Sequence, residues 1–230
     1  MSEDMVKTFD PAVKLAALAK RAKVHDFDLL IEKCTTLYQI LRIANEQVNL
    51  TRIDSEEGFW IKHVADSLLL GVAFPDLTGM KLRVGDIGCG AGFPSLVLAM
   101  AYPNWQISAI DSVGKKTAFV ESAAVGLELK NLEVINGRTR EMGCKAIYQK
   151  KFDLLTARAV GVIPTIYADA RRLIADRGRW IFYKTPEQAA QELETLRKTP
   201  PPGARLKWQA TAIEELPDNA GSRLFVHARS

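Results

Sequence analysis

Hydrophobic periodicity changes character near residue 75 of this chain. Before it, apolar side chains recur every three or four positions; beyond it, they gather into short continuous runs separated by helical stretches. In the first part, Val13, Leu15, Ala16, Leu18 and Ala19 predict a helix over 12–24. Asp10-Pro11 supplies its N-cap candidate and a proline at the first helical position. Leu29, Leu30, Cys34, Leu37, Ile40, Leu41 and Ala44 predict a second helix over 27–45. Asn49-Leu50-Thr51 interrupts the helices, and Asp54 or Ser55 is placed to cap a third, from Glu56 to about Val72. Within it His63, Asp66 and Ser67 lie about one turn apart, a spacing that predicts local pairing of polar groups inside the helix. Pro75, Thr78 and Gly79 mark a boundary.

In the second part, strands are predicted at 82–87, 105–110, 132–136, 152–157 and 179–183, and helices at 94–101, 113–126, 164–175 and 186–198. Thr199-Pro200-Pro201-Pro202-Gly203 reads as a loop. Two late strands, near 206–213 and 222–228, flank Pro217–Gly221 and suit a hairpin at a sheet edge. This alternation predicts an α/β fold: a Rossmann-like, mostly parallel, doubly wound sheet over 81–230, with a helical segment over 1–80 packed on it.

The run Leu82–Ile87 ends in three glycines at alternate positions, Gly88, Gly90 and Gly92, and then Phe93-Pro94 and another apolar segment. A strand, a tight turn and a helix start produce this pattern, with glycine where the backbone must turn sharply and admit a ligand. In a dinucleotide fingerprint the third glycine would stand at Phe93, whose ring would obstruct close strand–helix packing. The D-x-G-x-G-x-G form instead resembles the first motif of class I S-adenosylmethionine (SAM)-dependent methyltransferases. Asp111, 23 residues past Gly88, closes the second strand, where a carboxylate can accept ribose hydroxyls; N-capping of the next helix is the alternative role.

Charge sharpens the picture. Residues 1–80 balance to −3 and residues 81–230 to +7, so the basic excess lies on the sheet-forming part, where it would attract phosphate backbones. Three scattered cysteines without a C-x-x-C suggest reduced thiols in the cytoplasm, and three scattered histidines suggest no metal site. No apolar run is long enough to span a membrane, and the N-terminus does not read as a signal peptide. A monomer is the simplest expectation.

Six motifs occur in order: Asn49-Leu50-Thr51, His63-x-x-Asp66-Ser67-Leu68, Gly88–Pro94, Asp111-Ser112-x-Gly114-Lys115-Lys116, Gly137-Arg138 and Ala157-Arg158-Ala159. Together they resemble the RsmG (glucose-inhibited division protein B) family of bacterial rRNA methyltransferases, over about residue 37 onward. The resemblance implies SAM as cofactor, 16S rRNA or the small ribosomal subunit as partner, and N7 of a guanine as acceptor. It puts Gly88, Gly90 and Phe93 against the cofactor, Asp111 on its ribose, Thr139 and Arg140 beside the adenine, and Arg158 at the cofactor pocket. Two positions depart from the family pattern: Arg140 stands where an acidic residue is usual, and Lys184 is followed by Thr185-Pro186 and not by glycine.

Guanine N7 carries a lone pair and no proton, so it can attack the sulfonium methyl directly, without a general base. The chain also lacks a D/N-P-P-Y/F motif for amino methylation and a Pro-Cys or Thr-Cys nucleophile for carbon methylation. Arg158 has three possible roles: the cofactor carboxylate, the target base or phosphate, or a plain ion pair with Asp153 or Asp169. A small-molecule methyltransferase and a non-catalytic SAM- or RNA-binding assembly protein are the competing functions.

Overall fold

The computed structural model describes residues 9–52, 55–201 and 206–230. The expected cap Asp54 and part of the proline-rich loop fall outside them. Helix α1 (Pro11–Arg21) is capped by Asp10, whose carboxylate accepts from the N–H groups of Ala12 and Val13. Helix α2 (Phe27–Val48) runs three residues past its expected end and stops where Asn49 turns left-handed, at φ 48°. Ser55 caps α3 (Glu56–Phe59), which passes into a six-residue π-helical turn, Trp60–Ala65, and then α4 (Asp66–Ala73).

The buried apolar runs become parallel strands β1 (Leu82–Ile87), β2 (Trp105–Asp111), β3 (Leu132–Asn136), β4 (Phe152–Arg158) and β5 (Ile174–Lys184). They alternate with α5 (Ser95–Ala101), α6 (Gly114–Gly126), the short α7 (Thr139–Met142), α8 (Ile163–Ala170) and α9 (Pro186–Lys198). Two-residue strands β6 (Gln209–Ala210) and β7 (Glu214–Glu215) and the long β8 (Ser222–Arg229) complete the sheet. Its order is β3-β2-β1-β4-β5-β8-β6, with β7 on β8; β8 is antiparallel to β5 and both short strands. The order reverses between β1 and β4, and in such sheets that crevice, at the carboxyl ends of the strands, is where ligands sit.

Two expectations shift. Helix α8 ends at Ala170, five residues early, because Ile174 is drawn into the sheet opposite Phe152. Of the strand expected over 206–213 only Gln209–Ala210 pairs; Trp208 packs instead on Tyr167 and Phe182.

One continuous apolar cluster joins the N-terminal helices to the sheet, from Leu15 and Leu30 through Trp60 and Leu69 to Val84, Trp105 and Phe225. Helix α5 lies inside it with all seven residues buried. Burying each large side chain stabilises by about 1.5–3 kcal/mol, so the helices are held by the sheet more than by their own propensity. Ion pairs of Lys14 with Asp218 and Arg21 with Glu214 fasten α1 to the segment before β8.

Candidate active site

The turn after β1 is built by backbone. Gly88 and Cys89 donate their N–H groups to Ile110 O at 2.7 and 3.0 Å, so β1 and β2 hold the turn between them. Gly88, Gly90 and Gly92 all have positive φ. At Gly88 a side chain is also excluded by space, since a Cβ would lie 2.6 Å from the Val160 methyls in the loop after β4. Asp86 is fully buried behind the turn, accepting from Ser95 Oγ at 2.5 Å and Thr156 Oγ1 at 3.0 Å; burial pushes its carboxyl up to about 6. It ties β1 to α5 and β4.

At the end of β2, Asp111 Oδ2 accepts from Gly90 N at 2.9 Å and Oδ1 from Val113 N at 2.9 Å. The glycine turn and the entry to α6 are thus fixed by one carboxylate. Of the two roles, N-capping is not the one Asp111 takes: α6 has Val113 at its N-cap with no side-chain cap bond, and the carboxylate instead holds the turn before the helix while retaining lone pairs for a ligand. Asn136 and Gly137, at the end of β3, bond back to Asp111 O, carrying Thr139 and Arg140 to the same place.

A cavity of about 750 Å³ opens at these strand ends. All seven residues expected at the cofactor line it: Gly88, Gly90, Phe93, Asp111, Thr139, Arg140 and Arg158. Among the other lining residues are Thr51, His63 and Lys116, polar side chains that the sequence does not assign to the cofactor. All three stand in the motifs of the sequence, but nothing local in it tied Thr51 and His63 to the glycine turn.

The side of the cavity formed by His63 and Arg158 corrects two expectations. His63 and Asp66 do not pair with each other; only Ser67 bonds within the helix, donating to His63 O. Nor does Arg158 pair with Asp153, which forks onto Arg83, or with Asp169. Arg158 Nη1 donates to Asp66 Oδ2 at 2.9 Å and to Lys62 O at 3.1 Å, and Nη2 lies 3.1 Å from His63 Nδ1. A guanidinium only donates, so Nδ1 is the bare nitrogen and Nε2 carries the hydrogen, donated to Thr51 Oγ1 at 3.1 Å. Burial, and then the charge of Arg158, lower the pKa of this ring to about 3. The neutral ring stacks on Phe93 at 4.1 Å between centroids. Asp66, 1% exposed, also takes the fork of Arg223 from β8 at 2.6 and 3.1 Å.

The Lys184 departure has a physical account. Lys184 is buried, pairs with Glu192 of α9 at 2.6 Å and donates to Gly161 O, while Glu192 also holds Ile163 N. Thr185-Pro186 starts α9 with a reciprocal capping box between Thr185 and Gln188. Arg140 lies on the wall between the main cavity and a smaller notch shared with Arg171 and Arg172.

Residues 30–203 match the family described as rRNA small subunit methyltransferase G. The chain belongs to that family. A ribosomal RNA small subunit methyltransferase G of Lacticaseibacillus paracasei is 34% identical over 183 residues, 79% of this chain and 75% of that one. Its counterpart in Staphylococcus saprophyticus is 32% identical over 220 residues, 93% and 89% of the two chains. In fold, the chain is similar to a SAM-dependent methyltransferase from Aquifex aeolicus (TM-score 0.58, 14% identity, 79% of this chain and 96% of that). A putative O-methyltransferase from Klebsiella pneumoniae gives a TM-score of 0.55 at 14% identity, covering 84% and 89%.

This member of the methyltransferase G family is an enzyme that uses S-adenosylmethionine, and its cavity fits that cofactor. The volume lies in the range of roughly 300–1,000 Å³ usual for small-molecule sites. Asp111 keeps about two of its four lone-pair positions after the Gly90 and Val113 bonds, enough for two hydroxyls. Among the described residues no helix is long and apolar enough to cross a membrane, and no three His, Cys, Asp or Glu residues cluster as metal ligands. Calorimetry is expected to show binding of SAM and S-adenosylhomocysteine and none of NAD. Asp111→Asn should weaken SAM by about 1.5–3 kcal/mol through lost charge-assisted hydrogen bonds. Tight NAD binding without a SAM response would overturn the fit.

Proposed function

We propose that the enzyme methylates N7 of a guanine in small-subunit rRNA by direct attack, with Asp111 holding the cofactor ribose, Thr139 and Arg140 flanking its adenine, and Arg158 receiving its carboxylate. SAM supplies an electrophilic methyl group on a sulfonium centre. The observation that carries the reading is the state of His63. Its one lone pair is taken by Arg158, so the ring cannot accept a proton from an incoming nucleophile. The Cys89 thiol is held protonated by burial, and Asp111 is engaged by backbone. The remaining lining carboxylate, Asp169, lies, like Arg140, on the wall shared with the smaller notch. A site furnished in this way suits an acceptor with a free lone pair, and N7 is such an atom.

Arg158 has five N–H groups and spends three on Lys62 O, Asp66 and His63. Nε–H and one Nη2–H have no partner among the described residues, and the guanidinium borders the cavity. Two arginines on one carboxylate leave a local charge of +1, which favours an anionic group. Placement of N7 in line with the reacting bond is then the main catalytic task, worth up to about 7–11 kcal/mol. The relatives' names support rRNA as substrate, and so does the basic excess beyond residue 80.

Reduction and aniline cleavage of small-subunit rRNA, treated with protein and SAM, is expected to give one new cut at an N7-methylguanine. Methyl incorporation without that cut, on an amino group or a ring carbon, would overturn the acceptor assignment. Turnover on rRNA should also fall steeply with added salt while SAM binding barely changes, because only the RNA releases counterions. Equal salt sensitivity of the two would count against a phosphate-binding face.

A further inference from the structure

The brace behind Arg158 includes residues that do not line the cavity. Asp66 and Arg223 both stand outside it, and Arg223 comes from β8, 157 residues along the chain. We propose that Asp66 and Arg223 are positioning residues for methyl transfer, holding Arg158, and through it His63 and the face of Phe93, in the working geometry. The inference rests on reading the cavity as the methyl-transfer site.

A carboxylate as buried as Asp66 needs one cation to offset its desolvation, and Arg223 alone would serve, since its fork takes both oxygens. Arg158 is a second cation on an acid already paired. What its extra bonds accomplish is to fix the guanidinium at three points, Asp66 Oδ2, Lys62 O and His63 Nδ1, all on the π-helical turn or the residue after it. A long, rotamer-rich side chain is thereby ordered before any ligand arrives, which removes that cost from binding and reaction. The same grip keeps Nδ1 of His63 unprotonated and its ring flat on Phe93, with the planes 10° apart. Arg223 sets the carboxylate plane, the carboxylate sets Arg158, and Arg158 sets the histidine.

The test uses the full chain, SAM and small ribosomal subunits lacking the modification. Arg223→Lys keeps Asp66 paired through Arg158 and so keeps the fold, but cannot reproduce the planar fork. Asp66→Asn removes the hub. A control, Arg83→Lys, breaks an equally forked pair with Asp153 on the exposed far end of β1. For Arg223→Lys the expected result is a kcat lower by about tenfold with KM for SAM changed far less, because misplacement acts on the reacting geometry. Nitrogen-15 shifts of His63 should pass from one tautomer, with bare Nδ1, to a mixture. Arg83→Lys should change neither. A folded Arg223→Lys enzyme with the kcat of the control would overturn the proposal. So would a lowered kcat with the His63 tautomer intact, which would mark the residue as merely structural. If the unaltered protein transfers no methyl group to the subunit, the reading of the cavity fails instead. The tautomer measurement needs no turnover and still decides the brace. Asp66→Asn should show the same histidine change more strongly wherever it folds.

Discussion

Arg158→Ala is expected to give a folded protein whose kcat/KM for methyl transfer is lower by about 100-fold or more, equivalent to about 2.7 kcal/mol of lost transition-state stabilisation. The fold should survive because Asp66 keeps the fork of Arg223 and is not left as an unpaired buried charge. Three contacts disappear together, and with them the donors facing the cavity and the bond fixing His63. Arg158→Lys should recover little, since one ammonium cannot span a carboxylate, a carbonyl and a ring nitrogen in the same plane. Steady-state kinetics, calorimetry with SAM and circular dichroism together provide the check. A folded Arg158→Ala enzyme with the parent kcat/KM would remove Arg158 from the site.

The second large effect falls on stability. Gly71 of α4 lies under Tyr102, whose hydroxyl donates to Ala22 O at 2.8 Å. A Cβ there would lie 1.8 Å from that hydroxyl oxygen and 2.7 Å from the Ala22 carbonyl. Alanine gains about 1 kcal/mol in helix propensity, but the overpacking and the broken buried hydrogen bond cost more, for a net loss of about 2–4 kcal/mol. In a chain of this size the melting temperature should drop by roughly 5–12 °C. Gly71→Ala combined with Tyr102→Phe should lose less than the sum of the two single changes, because they share one contact. Strict additivity, or an unchanged melting temperature, would contradict the packing described for this junction.

The features legible in the sequence are those written in short range. Leu82–Ile87 and Trp105–Asp111 are apolar runs that only a buried strand accommodates, and the alternate glycines with Asp111 mark the cavity in the sequence itself. Sequence pattern places Ile174 at the end of a helix because an apolar residue near a helix end and one entering a central strand look alike; the ladder to Phe152 decides between them. The π-helical turn left no composition signal, since it differs from an α-helix only in backbone bonding. For His63 and Asp66, helical spacing suggested each other as partners. The partners that prevailed, Arg158 and Arg223, lie 92 to 157 residues away from Asp66, and no local pattern encodes them.

Arg223 also sets a timetable. The glycine turn, Asp111 and Arg158 all leave the synthesising ribosome before Ser222–Arg229, the strand that inserts between β5 and β6 and brings the second guanidinium to Asp66. A nascent chain stalled after α9 would carry the SAM-facing loops but would leave Arg158 as the one arginine on Asp66, with nothing to set the carboxylate plane. Methylating competence should therefore switch on abruptly, with the emergence of β8, and not accumulate as the domain is made.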